Sequence, residues 1–387
     1  MGNTHAESDN KTIAGENVGK SPSLEEVLAN TIARGYAHVD DLPDYQSSTW
    51  LAASPTVRLS YLSSQEDFGS DEAEFSLNLS IKSGLQREID RQLIKVNKDI
   101  RLQQSELRKL YFSGLIRETV WSYEIAKANE TYIQKKLSVL KQLENNNELL
   151  VVAGEVSDYG LLLVKKETIN TQIKALENQQ ELKKWRIQYQ AISGMINMPK
   201  IMEKKTEISE LNVSQHPEVL LLASSWQQQK LMIKENSSDA EPWMLSASAK
   251  TVDTLGVQDQ QLGLSFELPL SFVEVNSQSI ANQSLQSKVQ FDLEYQKNYL
   301  KINQQLTEHS ESRHFLIKKQ SLLQDSLKLS KKIMQQIEHL KARNEMGQEL
   351  VLRRVIDAME IQNDNAVINL LIQQNNSLLR QAAGIPL

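Results

Sequence analysis

One alternating stretch occurs twice in this chain. Residues 55–82 read PTVRLSYLSSQEDFGSDEAEFSLNLSIK, and the pattern returns 187 positions later in residues 242–270. Pro55 falls on Pro242 and Gly69 on Gly256. Phe75, Leu77, Leu79 and Ile81 fall on Leu262, Leu264, Phe266 and Leu268, without a gap over 27 positions. A duplication constrains the fold more than any single motif, because both copies must be satisfied by the same local structure. A period of two is a strand signal, and polar clusters around each glycine mark the turns. Strands are predicted over about 56–63, 72–82, 243–251 and 260–270. At the common offset, Val57, Leu59 and Tyr61 are out of phase with Trp243, Leu245, Ala247 and Ala249. A one-residue slip or bulge is therefore expected in the first strand.

The remainder reads as long helix. None of the eight prolines lies between Pro55 and Pro199, or between Pro269 and Pro386. Intervals without a helix breaker favour helices of unusual length. They are predicted over about 84–147, 161–197, 275–343 and 351–383. The first of these would span roughly 96 Å at 1.5 Å per residue. Its apolar residues Leu85, Ile89, Leu93, Val96 and Ile100 recur every three or four positions. Leu182, Trp185, Tyr189, Ile192 and Ile196 alternate steps of three and four, which predicts a coiled-coil seam. Ser23 can cap a helix over about 24–38, and Pro217 can start another reaching about 234. These lengths predict one long helix beside two shorter ones in each half.

The chain then divides into a polar arm (1–22), a first repeat (23–204) and a second repeat (205–387). Each repeat is helix–strand–strand–long helix, so the fold class is mainly α with a small β part. Gly154 matches Gly347 at an offset of 193, six more than the strands, so the second long helix is expected to be slightly longer.

Composition removes several kinds of function. Forty-three basic residues face 49 acidic ones with no basic block, so no nucleic-acid partner is expected. There is no cysteine, which excludes disulfides, thiolate metal sites and cysteine catalysis. His309 and His314 lie five apart, about 140° around a helix, and do not form an i,i+4 metal pair. Met195, Met198 and Met202 read as packing residues, as do Trp121 and Trp185. No nucleophile elbow, phosphate loop or dinucleotide glycine pattern occurs, so neither enzyme activity nor a cofactor or metal is expected. The first twenty residues hold no apolar core of a signal peptide, so a membrane-directed chain would be the mature form behind a start Met. No run approaches 18 apolar residues, which excludes a transmembrane helix but not a β-barrel.

Four strands cannot close a barrel, and an open sheet leaves edges for aggregation. Nothing else in the sequence is left to cover their apolar faces. Three chains would supply twelve strands, within the range of closed membrane barrels. Phe75, Leu77, Leu79, Ile81, Leu262, Leu264, Phe266 and Leu268 would then face lipid, together with Leu270. Ser76, Asn78, Ser80, Gly263, Ser265 and Glu267 would line a wet pore. The competing reading is a small soluble sandwich of the two hairpins.

The order of these elements resembles the TolC-like outer-membrane efflux proteins over essentially residues 24–387. Besides the twofold repeat, the carriers are LGLSFELPL (262–270) and the reversals VAGEVS (152–157) and NEMGQEL (344–350), each leading into a long amphipathic helix. The resemblance implies a homotrimer with a 12-stranded barrel in outer-membrane lipid and a long α-helical coiled-coil tunnel in the periplasm of a Gram-negative bacterium. It implies an exit duct for tripartite efflux or type I secretion, fed by a periplasmic adaptor (membrane fusion) protein and an inner-membrane pump of the RND or ABC type. The adaptor would dock at the tunnel tip, on Val152, Ala153, Gly154, Glu155, Val156, Met346, Gly347, Gln348 and Glu349. The family commonly carries an acidic residue about six positions after each reversal glycine, where this chain has Gly160 and Arg353. The gate is accordingly expected from mixed charges, Asp158, Arg353, Arg354 and Asp357. No lipid anchor is expected, since the family's N-terminal cysteine is missing. The alternatives are a soluble coiled-coil scaffold and a periplasmic adaptor, though an adaptor would need a larger β portion and a single helical hairpin.

Overall fold

The computed structural model describes residues 21–35, 48–66, 68–154, 157–200, 212–236, 241–269, 278–342 and 348–387. The elements run α1 (Leu24–Gly35), β1 (Thr56–Leu62), β2 (Ser70–Ile81), α2 (Gly84–Val152) and α3 (Asp158–Ser193), followed by α4 (Pro217–Glu235), β3 (Trp243–Thr254), β4 (Val257–Glu267), α5 (Gln278–Ala342) and α6 (Gln348–Ala382). Residues 1–20 of the predicted arm, the end of the first helix beyond Gly35, Pro43, Met202 and Leu270 lie outside the described residues.

α2 is a single helix of 69 residues, roughly 104 Å long at 1.5 Å per residue. A capping box starts it: Ser83 Oγ accepts from the Gln86 N–H, and Gln86 Oε1 accepts from the Ser83 N–H. These bonds satisfy two backbone donors that a helix start otherwise leaves open. α2 runs five residues beyond the predicted end, because the Asn-rich stretch 145–147 stays helical. Gly154, at φ 74°, then allows the reversal into α3.

α5 spans 65 described residues, and the residues on either side of it, 270–277 and 343–347, lie outside the described set, as does the expected extra length.

α3 and α4 pack along successive lengths of α2, and α6 packs on both α2 and α5. Three apolar clusters hold this stack. Ile89 and Val96 of α2 enclose Leu231 of α4. Leu24, Val27 and Leu28 of α1 meet Ile116, Val120 and Tyr189. Leu140, Val164 and Leu352 join α2, α3 and α6. The predicted seam holds for Leu182, Trp185, Tyr189 and Ile192, which are buried or half-buried. Ile196 departs from it: α3 ends at Ser193, Gly194 turns the chain at φ 71°, and Ile196 is left exposed. A thin stack buries little apolar surface per residue, so polar side chains fill much of the seam. Trp121 Nε1 donates to Ser377 Oγ at 2.8 Å, and Arg117 donates to Gln381 Oε1 at 2.6 Å.

The start of α4 depends on a histidine. His216 is buried, and its Nδ1 accepts the Glu218 N–H at 3.1 Å, capping the helix ahead of Pro217. Gly384 presses against both rings: a Cβ there would lie 2.6 Å from Pro217 Cδ and 2.7 Å from His216 Cδ2. Burial pushes the imidazole pKa below its usual value; Glu218 opposes this and Lys301 reinforces it. A native pKa below the unfolded one means that folding disfavours protonation. The stabilisation is complete above about pH 6.5, the unfolded value, and is lost as pH falls toward the native one. The wild type should therefore lose Tm more steeply below pH 6.5 than His216→Asn, whose amide oxygen caps at every pH. Parallel Tm–pH curves would contradict this role.

Candidate transport surface: a two-faced sheet above helical reversals

The four strands form one antiparallel sheet in the order β1-β2-β3-β4. Directly opposed residues of antiparallel strands share a face, so the register sorts every side chain. One row reads Val57, Leu77, Ala247, Leu264, and the next apolar row reads Leu59, Phe75, Ala249, Leu262. Leu79, Leu245 and Phe266 continue this face, as do Ile81 and Trp243. The rows between them are polar: Arg58, Ser76, Ser248, Gly263, and then Thr56, Asn78, Ser246, Ser265. Ser80, Met244 and Glu267 complete that face at the helical end.

No bulge was needed to bring β1 into phase. β1 and β2 pair without interruption from Thr56↔Asn78 to Leu62↔Glu72. In the second hairpin, Asp259, the counterpart of Glu72, faces Val252. Nine residues separate the first of these pairs and six the second, so the first connection is three residues longer. Three is odd, and an odd change in the connection reverses the parity of one strand against its copy. The second hairpin closes through Leu255 and Gly256 alone, with φ of 53° and 83°. Two positive φ values suit the right-handed twist of the flanking strands.

Among the described residues no helix packs over either face of the sheet; the strands pack on one another, and Arg87 of α2 reaches Trp243 at their base. The apolar side is therefore bare. Leu262 is 90%, Leu264 85% and Leu59 78% exposed, whereas Ser76 on the polar side is buried. A sheet that shelters serine and exposes leucine is inverted relative to a soluble one. Among the described residues, the outer edges of β1 and β4 have no strand partner.

At the far end, Val152 ends α2 in full exposure, and Ala153 and Gly154 form the turn after it. Leu149, Tyr159 and Leu162 add exposed apolar surface around the reversal. Glu155, Val156, Met346 and Gly347 lie outside the described residues, while Gln348 and Glu349 open α6. Of the four charged residues expected at the gate, Arg354 and Asp357 pair at 3.2 Å within α6. Asp158 begins α3, and among the described residues no ion pair joins it to Arg353 or Arg354.

A third feature had no sequence signal of its own. About sixteen residues above the reversal, Lys136 of α2 is 3% exposed between Glu167 of α3 at 2.8 Å and Glu360 of α6 at 3.6 Å. Tyr132, Lys174, Asn363 and Asp364 surround a cavity of about 150 Å³ beside it. Lys136 is one of many lysines on polar helix faces; only the convergence of three helices marks it out.

These features define a chain of paired long helices with two inserted hairpins and, among the described residues, a bare apolar sheet face. The fold is that of the TolC-like outer-membrane channels. No family model and no curated protein matches the sequence. Among solved structures, the chain is similar to CusC, described in connection with transmembrane channel formation, at 14% identity and TM-score 0.63, covering 86% of this chain and 82% of that one. It is similar to the outer membrane protein VceC of Vibrio cholerae at 15% identity and TM-score 0.62, covering 95% and 94%. The Campylobacter jejuni CmeC outer membrane channel aligns at 15% identity and TM-score 0.58, over 86% and 76%.

Proposed function

We propose that this chain is the outer-membrane exit duct of an export system, conducting substrate passively and catalysing nothing itself. The observation that carries this reading is the sheet, whose leucine-rich face is uncovered and whose two edges are unpaired among the described residues. No described helix is long and apolar enough to cross a membrane, which leaves any crossing to the strands. β2, β3 and β4, of 11 to 12 residues, are long enough to cross when tilted. Four strands per chain let β4 of one copy meet β1 of the next antiparallel, and three copies close a twelve-stranded barrel.

The helices support the same assembly. Leu293, Leu300, Phe315, Leu322 and Leu329 recur every seven or eight residues along α5, apart from the unused position at Thr307, and all are exposed. Ile169, Ile173, Leu176 and Ile187 form a second bare stripe on α3. Two different stripes meeting head to tail give a heterologous contact, which closes into a ring of three when each contact turns the copy by a third of a circle. In this reading Phe75, Leu77, Leu79, Ile81, Leu262, Leu264, Phe266 and Leu268 touch lipid. Val152 to Gly154 and the start of α6 receive a periplasmic adaptor, which links the duct to an inner-membrane pump for efflux or type I secretion. The protein would reside in a Gram-negative outer membrane with most of its helix in the periplasm.

Purification tests this directly. The protein should require detergent, weigh three times 44.0 kDa once bound detergent is subtracted, and conduct ions across planar bilayers. A water-soluble monomer that does not conduct would leave the scaffold reading standing in its place.

A further inference from the structure

The polar face of the sheet is not uniform along its height. The middle rows carry Thr56, Asn78, Ser246, Ser265, Ser76, Ser248 and Gly263, small and uncharged apart from Arg58 on the edge strand. Toward the hairpin turns the same face becomes charged. One row holds Ser60, Glu74, Lys250 and Gln261, and the row above it holds Leu62, Glu72, Val252 and Asp259. Lys250 Nζ lies 2.7 Å from Glu72 Oε2, so these two charges offset each other. Asp259 accepts a hydrogen bond from Gln261 at 2.8 Å, and no ion pair is formed with it among the described residues. Counting Glu267 at the helical end, each copy presents four carboxylates and two cations on this face.

We infer that the mouth of the duct prefers cations, and that Glu74 and Asp259 of each copy set the preference. This rests on the exit-duct reading, which turns the polar face toward the pore. Closing the sheet brings the unpaired carboxylates of every copy around one lumen. Carboxylate rings in a water-filled pore raise the local cation concentration and repel anions. The uncharged belt below provides a smooth wall with no opposing charge except Arg58. Exposed charges act over about 10 Å in 0.1 M salt, so the preference should weaken as ionic strength rises.

Reversal potentials in planar bilayers under a KCl gradient test the assignment. The wild type should favour potassium, and Glu74→Gln combined with Asp259→Asn should lower the permeability ratio at least about twofold. Lys250→Gln releases Glu72 and should move the ratio the other way, which gives a second readout if the double variant assembles poorly. An anion-preferring pore overturns the inference, as does a cation preference that neither variant moves; in both cases the duct reading survives. A wild type that assembles but does not conduct overturns the duct reading, and the inference falls with it.

Discussion

Arginine at Leu77 or Leu264 should prevent assembly into lipid while leaving the isolated chain almost untouched. The two residues share a row with Val57 and Ala247, partway along the sheet. In the free chain Leu264 is 85% exposed, so an arginine there meets water and displaces nothing. Near the midplane of a bilayer the same change costs roughly 2–4 kcal/mol per site, and closure of the barrel multiplies it by the number of copies. Ser265→Arg, one residue along the same strand, points to the polar face and should assemble at wild-type levels. Denaturant titration of folding into vesicles, beside the yield of detergent-stable trimer, reads both effects. If Leu264→Arg and Ser265→Arg behaved alike, the alternation would carry no information about lipid.

The second large effect is expected at the buried lysine. Glu167→Gln should destabilise the helical stack by about 3 kcal/mol, the low end of what breaking a buried ion pair costs. The low end applies because Glu360 remains 3.6 Å from the ammonium and half in water. Lys136→Met should cost far less, or nothing. It removes the one fully buried charge, fills similar volume with apolar atoms and leaves two carboxylates that solvent can reach. Glu360→Gln should fall between the two, since its side chain is 51% exposed and its interaction is screened. Equilibrium unfolding in detergent with guanidinium gives the ordering. A methionine variant as damaged as Glu167→Gln would mean that Lys136 contributes by attraction instead of being a desolvated charge that needs its partner.

Much of the fold was legible because its signals are local and repeated. Proline spacing alone bounded the long helices, since a helix interior rejects proline wherever it occurs. Alternation identified the strands and assigned Phe75 and Leu262 to one face, because the side-chain period of a strand is two whatever surrounds it. The places where the reading erred are those where a spacing in sequence could be absorbed at more than one point. The phase conflict at Val57 could be resolved by a bulge or by an odd change in a turn, and the structure shows the turn. Ile196 fits the seam's arithmetic but lies past Gly194, where left-handed backbone has already ended the helix.

The sequence by itself determined the duplicated element order, the two-faced strands and the heptad stripes, all consequences of periods of two and of about three and a half. Only the tertiary structure decided what those faces meet. It packed α3 and α4 along α2, left the stripes of α5 and α3 bare, and converged three helices on Lys136. It also showed that no described helix covers the apolar side of the sheet. Periodicity states which side chains share a face, whereas the neighbour of a face depends on how distant segments pack, and that information is not local to any stretch of the chain.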